Sequence, residues 1–260
     1  MTDHQQQQAA RRLVTAARTH TPCPPVRDLI GRADVAAAYA VQRLVNAARS
    51  DAGGRPIGRK IGLTSPAVQA QLGVDRPDFG VLFADMAFAS GAALPTDRLL
   101  QPRIEAEVAF VLGADLIDGP LDRAGVAAAV VEVRAALEIV DSRIAAWDIS
   151  FADTVADNGS SGLFVLSPDA LDLTGVAPVD VEMTLEINGA VVSTGNGAAC
   201  LGDPLEALAW LARAARDLGS PLRTGDVVLS GALGPMAAVS AGDRVTASLS
   251  GLGSVSCSFL

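Results

Sequence analysis

Four of the chain's seven glutamates fall between residues 105 and 138. Glu105 and Glu107 stand two apart in RIEAEVAFV (103–111), where alternation puts Arg103, Glu105, Glu107 and Ala109 on one strand face and Ile104, Ala106, Val108 and Phe110 on the other. Carboxylates at that spacing leave one face about 7 Å apart. They repel unless a cation or solvent lies between them. Glu138 sits in the apolar run AALEIV, where an unpaired charge is costly. Three such groups suit a hard divalent cation, with positions left open for water and a chelating substrate. The same alternation also describes the wet face of an antiparallel strand, with Arg103 as an ion partner, and the pattern by itself does not separate the two.

Lys60 is the only lysine among 20 Lys+Arg residues. A buried lysine can give up a proton, act as acid or base, or form a Schiff base, which arginine cannot do. A surface lysine surviving in an arginine-rich chain is the plainer alternative. The flanking Gly58 and Gly62 would allow close backbone or ligand approach. DTVADNGSSG (153–162) offers hydroxyls and amides to a bound carboxylate, or is an ordinary Asx/Ser loop. GALGPM (231–236) reads as a glycine-rich turn and Asp78 as a turn residue, while Trp147 and Trp210 sit in helical patterns and read as core.

What is missing narrows the chemistry. Both histidines, His4 and His20, precede residue 21. A Ser-His-Asp triad, a Cys-His pair or a His-ligated zinc would each need the N-terminus to fold back. Cys23, Cys200 and Cys257 are odd in number and far apart, with no CxxC, so a reducing compartment fits. A net charge of −9 over 260 residues argues against a nucleic-acid surface. The polar start MTDHQQQQAARR has no signal-peptide core, and the apolar stretch 125–140 is broken by Glu132, Arg134 and Glu138. The expectation is a cytoplasmic protein with no membrane partner.

These groups must be held by a fold of mixed type. Helices are expected over 5–19 and 34–50, the second capped by Asp34, with the Gln5–Gln8 run a frayed, solvated start and TPCPP (21–25) a rigid link. Strands are expected at 56–63, 103–111, 135–140, 163–166 and 227–230, with a short helix at Ser65-Pro66 and a helix from about 122 to 133. VEMTLEI (181–187), Asn188-Gly189 and 190–193 form a hairpin pattern. Asp203-Pro204-Leu205-Glu206 opens a helix ending at Gly219, and short strands close the chain. Helices first and strands later indicate α+β, and no GxGxxG, Walker loop or repeat is present. The expected organisation is an N-terminal helical segment (1–53) packed on a catalytic domain (54–260).

Long segments resemble the hydratase/decarboxylase branch of the fumarylacetoacetate hydrolase superfamily: 58–86, 101–112, 136–162, 197–205 and 222–236. The resemblance implies a mixed β-roll and a homo-oligomer, pentameric or decameric. It implies Mg²⁺ or Mn²⁺ on Glu105, Glu107 and Glu138, proton handling by Lys60 and Asp78, and a substrate-pocket loop carrying Ser160 and Ser161. Gly159 stands where the branch usually has Ala. The implied activity is hydration of 2-hydroxypenta-2,4-dienoate or a close alkyl homologue to a 4-hydroxy-2-oxo acid, with product passed to an aldolase. The alternatives are 4-oxalocrotonate decarboxylation and an inactive metal-binding or assembly subunit. The superfamily's hydrolases use a histidine to activate water, so the missing core histidine speaks against C–C hydrolysis.

Overall fold

The computed structural model describes residues 2–65, 69 and 76–260. Helix α1 (Asp3–Thr19) opens with a capping box, Thr2 accepting from the Gln5 amide and Gln5 Oε1 accepting from the Thr2 amide at 3.1 Å. The glutamine run is therefore a capped start and not a frayed one. After the one-turn α2 (Arg27–Ile30), Asp34 caps α3 (Val35–Asp51) by accepting from the Ala37 amide. The helix expected at Ser65-Pro66 lies outside the described residues.

Two sheets follow. In the larger, β2 (Asp78–Phe83), β1 (Pro56–Gly62), β10 (Val227–Ala232), β5 (Arg103–Leu112), β6 (Val130–Val140), β7 (Ser161–Leu166) and β3 (Ala87–Ala89) run in that order, with β11 (Ala237–Ala238) also on β5. The smaller runs β4 (Ala92–Leu94), β13 (Gly253–Phe259), β12 (Arg244–Leu249), β8 (Glu182–Ile187) and β9 (Ala190–Asn196). The Asn188-Gly189 hairpin turn has both residues at positive φ, as a two-residue turn requires. Asp78, expected in a turn, is the first residue of β2 and pairs with Gly62.

The helix expected over 122–133 stops early. Helix α4 covers only Arg123–Ala129, and β6 begins at Val130. Val130, Val131 and Val133 are β-branched, and the end of β5 pairs Leu112 with Val130 and Phe110 with Val133, so tertiary pairing overrides the helical pattern. Helix α5 (Phe151–Ala156) precedes the loop into β7, and α6 (Pro204–Asp217) is capped by Asp203 and closed at Gly219.

The core lies mainly between the sheets and under the helices. Ile104, Val108 and Phe110 of β5 join Leu137 and Ile139 of β6, Leu185, Val255, and Leu13 and Val41 from the N-terminal helices in one apolar cluster. The opposite face of the large sheet holds a smaller one, Ala109, Ala136, Phe164, Leu229, Phe83 and Met86. Ala109 and Ala136 of that second cluster continue the face that bears the glutamates.

Candidate active site

Strand register assembles the site. Glu105 pairs directly with Glu138 across β5 and β6, and Glu107 follows on the same face. One carboxylate oxygen from each lies within 4.8 Å of the others. Glu107 and Glu138 are buried, whereas Glu105, toward the start of β5, is partly exposed. Glu107 Oε2 accepts from the Gly231 amide at 2.7 Å, but Glu107 Oε1 and both oxygens of Glu138 have no hydrogen-bond donor. Buried orphaned acceptors facing one another need an outside charge to be stable. An all-oxygen set of three carboxylates fits a hard divalent cation.

The repulsion shows in the acidities. Burial first, then the charge of Glu138, raises Glu105 to about 7. Burial and the neighbouring carboxylates raise Glu107 well above the ordinary carboxylate range, and burial raises Glu138 despite Lys60. A folded pKa above the ordinary carboxylate value of about 4.3 means stability is lost as pH rises through about 7. In chelator, the melting temperature should therefore fall across this window, and Mg²⁺ affinity should rise across it as the cation displaces protons. Calorimetric titration at several pH values checks this, and an affinity independent of pH would contradict it.

Lys60 and Asp78 meet over Gly62. Lys60 is paired with Gly80 on β2, and its Nζ approaches Glu138 Oε1 at 3.2 Å, off the line of a good hydrogen bond. Burial alone would lower its pKa, but Glu138, Asp78, Glu105 and Glu107 together outweigh burial and raise it, so the ammonium is held charged. Asp78 is buried, accepts from the Thr154 hydroxyl at 3.3 Å on Oδ2, and leaves Oδ1 without a donor. Its pKa is raised by burial, with Lys60 pulling the other way. A methyl group on Gly62 would sit 2.2 Å from Asp78 Oδ1 and 3.6 Å from Lys60 Nζ. Gly62→Ala should therefore displace the Asp78 carboxylate, costing about 1–3 kcal/mol of stability and about 10-fold or more in turnover. Denaturant melts and steady-state rates on the same preparation test this, and wild-type values for both would contradict it.

The 157–161 loop forms a wall beside Lys60. Asn158, at positive φ, is clamped onto β2 by the Val81 amide on its Oδ1 at 2.8 Å and by its Nδ2 on the Val81 carbonyl at 2.9 Å. Asp157 accepts from Arg143 Nε at 2.5 Å, and Arg143 Nη1 also donates to the Ser161 carbonyl at 2.7 Å. A Cβ on Gly159 would come 2.7 Å from Lys60 Cε. The hydroxyls of Ser160 and Ser161 both donate within the loop, to Asp157 Oδ2 at 3.5 Å and the Asn158 carbonyl at 2.8 Å. The loop thus meets Lys60 through its backbone at Gly159.

Several contributors were not singled out from the sequence. Thr154 lies in the polar segment 153–162, but nothing in that pattern signals that it would face Asp78. Gly231, read as part of a plain turn, sits at φ 107 in a bulge of β10 that aims its N–H at Glu107. Cys200 Sγ, 2.9 Å from the Gly231 carbonyl, packs against that bulge. All three cysteines are free and buried. His20 caps α1 and lines a separate cavity of about 230 Å³ with Asp141 and Arg143, so it takes no part in the carboxylate cluster. Trp147, expected in a helix core, is half-buried in a single tight turn against Arg103, and Trp210 packs edge-on to Phe79 from α6.

The chain matches the family described as Fumarylacetoacetate (FAA) hydrolase C-terminal over residues 57–259. It is 52% identical over 250 residues to a 2-keto-4-pentenoate hydratase of Burkholderia vietnamiensis, covering 96% of this chain and 95% of that one. It is 51% identical over 251 residues to the TodF product hydratase of Pseudomonas putida, covering 96% and 94%. Among solved structures, 4-oxalocrotonate decarboxylase from Pseudomonas putida G7, complexed with magnesium and adipate, superposes with a TM-score of 0.95 at 32% identity, covering 100% of this chain and 99% of that one. Among the described residues no helix is long and apolar enough to cross a membrane.

Proposed function

From the premise that the chain belongs to the fumarylacetoacetate hydrolase family, we propose that it is a hydro-lyase that hydrates 2-hydroxypenta-2,4-dienoate, or a close alkyl homologue, to 4-hydroxy-2-oxopentanoate in the breakdown of aromatic compounds. The observation that carries this reading is the three-carboxylate cluster with buried Lys60 and Asp78 beside it, in a chain about half identical to hydratases. The decarboxylase likeness, at 32% identity, supports the shared fold and a metal-organised site more than it supports decarboxylation.

The cation would be held by Glu105, Glu107 and Glu138, and when bound it would supply a Lewis acid for the carboxylate and C2 oxygen of a 2-oxo acid. The chain's own groups handle protons and water. The dienol must gain a proton at C5 as C2 becomes a ketone, which leaves a conjugated enone. Water must then add at C4 while C3 takes a proton. Lys60 and Asp78, one a charged donor and the other a carboxylate with a free oxygen, share these transfers in the proposal. Thr154 orients Asp78 through Oδ2 and leaves the buried Oδ1 without a donor. The 157–161 loop keeps bulk water away from Lys60.

Mg²⁺ or Mn²⁺ as the cation, a homo-oligomer of five or ten subunits, product hand-over to an aldolase and a cytoplasmic setting complete the proposal, supported by family resemblance and, for the last, by free cysteines. The deciding assay incubates the protein with Mg²⁺ or Mn²⁺ and 2-hydroxypentadienoate and follows the dienol absorbance. Decay without CO₂ is expected. No decay there, with CO₂ released from 2-oxohex-3-enedioate, would make the chain a decarboxylase.

A further inference from the structure

Arg103 is half-buried at the start of β5, on the same strand face as partly exposed Glu105 and buried Glu107. Its guanidinium stacks 4.5 Å from the centroid of the Trp147 ring, with Nη1 3.8 Å from Met236 Sδ. Among the described residues no carboxylate comes within ion-pair distance of it. Several other half-buried arginines are paired, Arg27 with Asp153, Arg134 with Glu132 and Arg143 with Asp157, while half-buried Arg59 donates instead to the Gly58 carbonyl and the Ser220 hydroxyl.

The protein strains its backbone to hold that stack. Ala146 and Trp147 are consecutive non-glycine residues in left-handed conformation, at φ 58 and 55. Each such residue costs roughly 1–2 kcal/mol. Gln101 stabilises the turn with almost every polar group it has. Its Oε1 accepts from the Ala146 amide at 2.8 Å, and its Nε2 donates to the Ser142 and Ile144 carbonyls at 3.0 and 2.9 Å. Its carbonyl accepts from Trp147 Nε1 at 3.0 Å. The result is a fixed aromatic platform under an unpaired cation.

Charge balance gives that cation a purpose. A divalent cation and the Lys60 ammonium together carry three positive charges against four carboxylates, Glu105, Glu107, Glu138 and Asp78. An anionic substrate would meet a site of its own sign. We propose that Arg103, held on Trp147, is the residue that attracts the carboxylate of the incoming 2-oxo acid and orients it at the mouth of the metal centre. Arg103 also offers a planar fork of donors suited to a carboxylate. The assignment rests on the 2-oxo acid reading above and adds to it a residue for binding and selecting anions.

Saturated 2-oxopentanoate can chelate but has no double bond to hydrate, so its binding can be measured apart from turnover. Calorimetry on the Mg²⁺-loaded protein, at low and high ionic strength, should show Arg103→Gln binding it about 5–10-fold more weakly at low salt. The gap should narrow at high salt. Mg²⁺ affinity should be unchanged or tighter, because a nearby positive charge has been removed, and Arg103→Lys, which keeps the charge but loses the planar fork and the stack, should recover only part of the analogue affinity. Equal analogue binding by wild type and Arg103→Gln, with the same salt dependence, would overturn the assignment. So would a loss of Mg²⁺ affinity alongside the analogue, which would mark Arg103 as a scaffold residue. Failure of the Mg²⁺-loaded wild type to bind the analogue at all would overturn the 2-oxo acid reading itself, and the assignment with it.

Discussion

Glu107→Gln should weaken Mg²⁺ binding by at least about 100-fold, more than the loss of an outer-shell partner costs, while the metal-free protein becomes more stable at pH 8. The two effects have opposite signs for one reason. Glu107 is fully buried, its pKa is pushed far up by burial and by its neighbours, and its Oε1 has no donor. Glutamine keeps the shape and can still accept from the Gly231 amide, but it removes one of three mutually repelling charges. A carboxylate kept for stability would give the reverse outcome, a less stable protein. Magnesium titration calorimetry and thermal melts in chelator make the distinction, and wild-type Mg²⁺ affinity in Glu107→Gln would remove the cluster from consideration as a metal site.

Lys60→Arg should retain Mg²⁺ binding yet lose about 10²–10⁴-fold in turnover, the range associated with removal of a positioned proton-transfer group. The charge survives the change, so the ion pair with Glu138 is not simply abolished. The size and the proton chemistry do not survive. Lys60 runs through a tight channel, where even a methyl on Gly159 would come 2.7 Å from its Cε, and a guanidinium stays protonated. Lys60→Met is the less informative variant, because stranding buried carboxylates costs about 3–5 kcal/mol and confounds activity with folding. Single-turnover rates with Mg²⁺ bound provide the readout. Near-wild-type turnover in Lys60→Arg would show that Lys60 supplies charge alone.

The carboxylate geometry was legible because a strand has a strict period of two. Once 103–111 is read as a strand, Glu105 and Glu107 must share a face. That Glu138 stands directly across from Glu105 depends on register, which no local pattern in either strand encodes. The apolar context of Glu138 marked it as a charge needing a partner, and the structure supplies Lys60 and two carboxylates. The turn reading of Asp78 fails because turn chemistry and an edge strand draw on the same residues, here Pro77 and Gly80. The early end of α4 has the same origin: a run of valines with helical spacing becomes strand when a long neighbour is there to pair with. Trp147 and the Gly231 amide were beyond reach, since each acts through one unusual backbone angle.

In the proposed reaction Lys60 and Asp78 protonate C5 of a dienol held at the carboxylate cluster, and water is then added at C4. Turnover of 2-hydroxypenta-2,4-dienoate in D₂O with Mg²⁺, followed by NMR of the product, tests it directly. The expected product is 4-hydroxy-2-oxopentanoate carrying a single deuterium on the C5 methyl group, formed at a rate that falls with Lys60→Arg. Unconsumed dienol, or a product with no deuterium at C5, would contradict it.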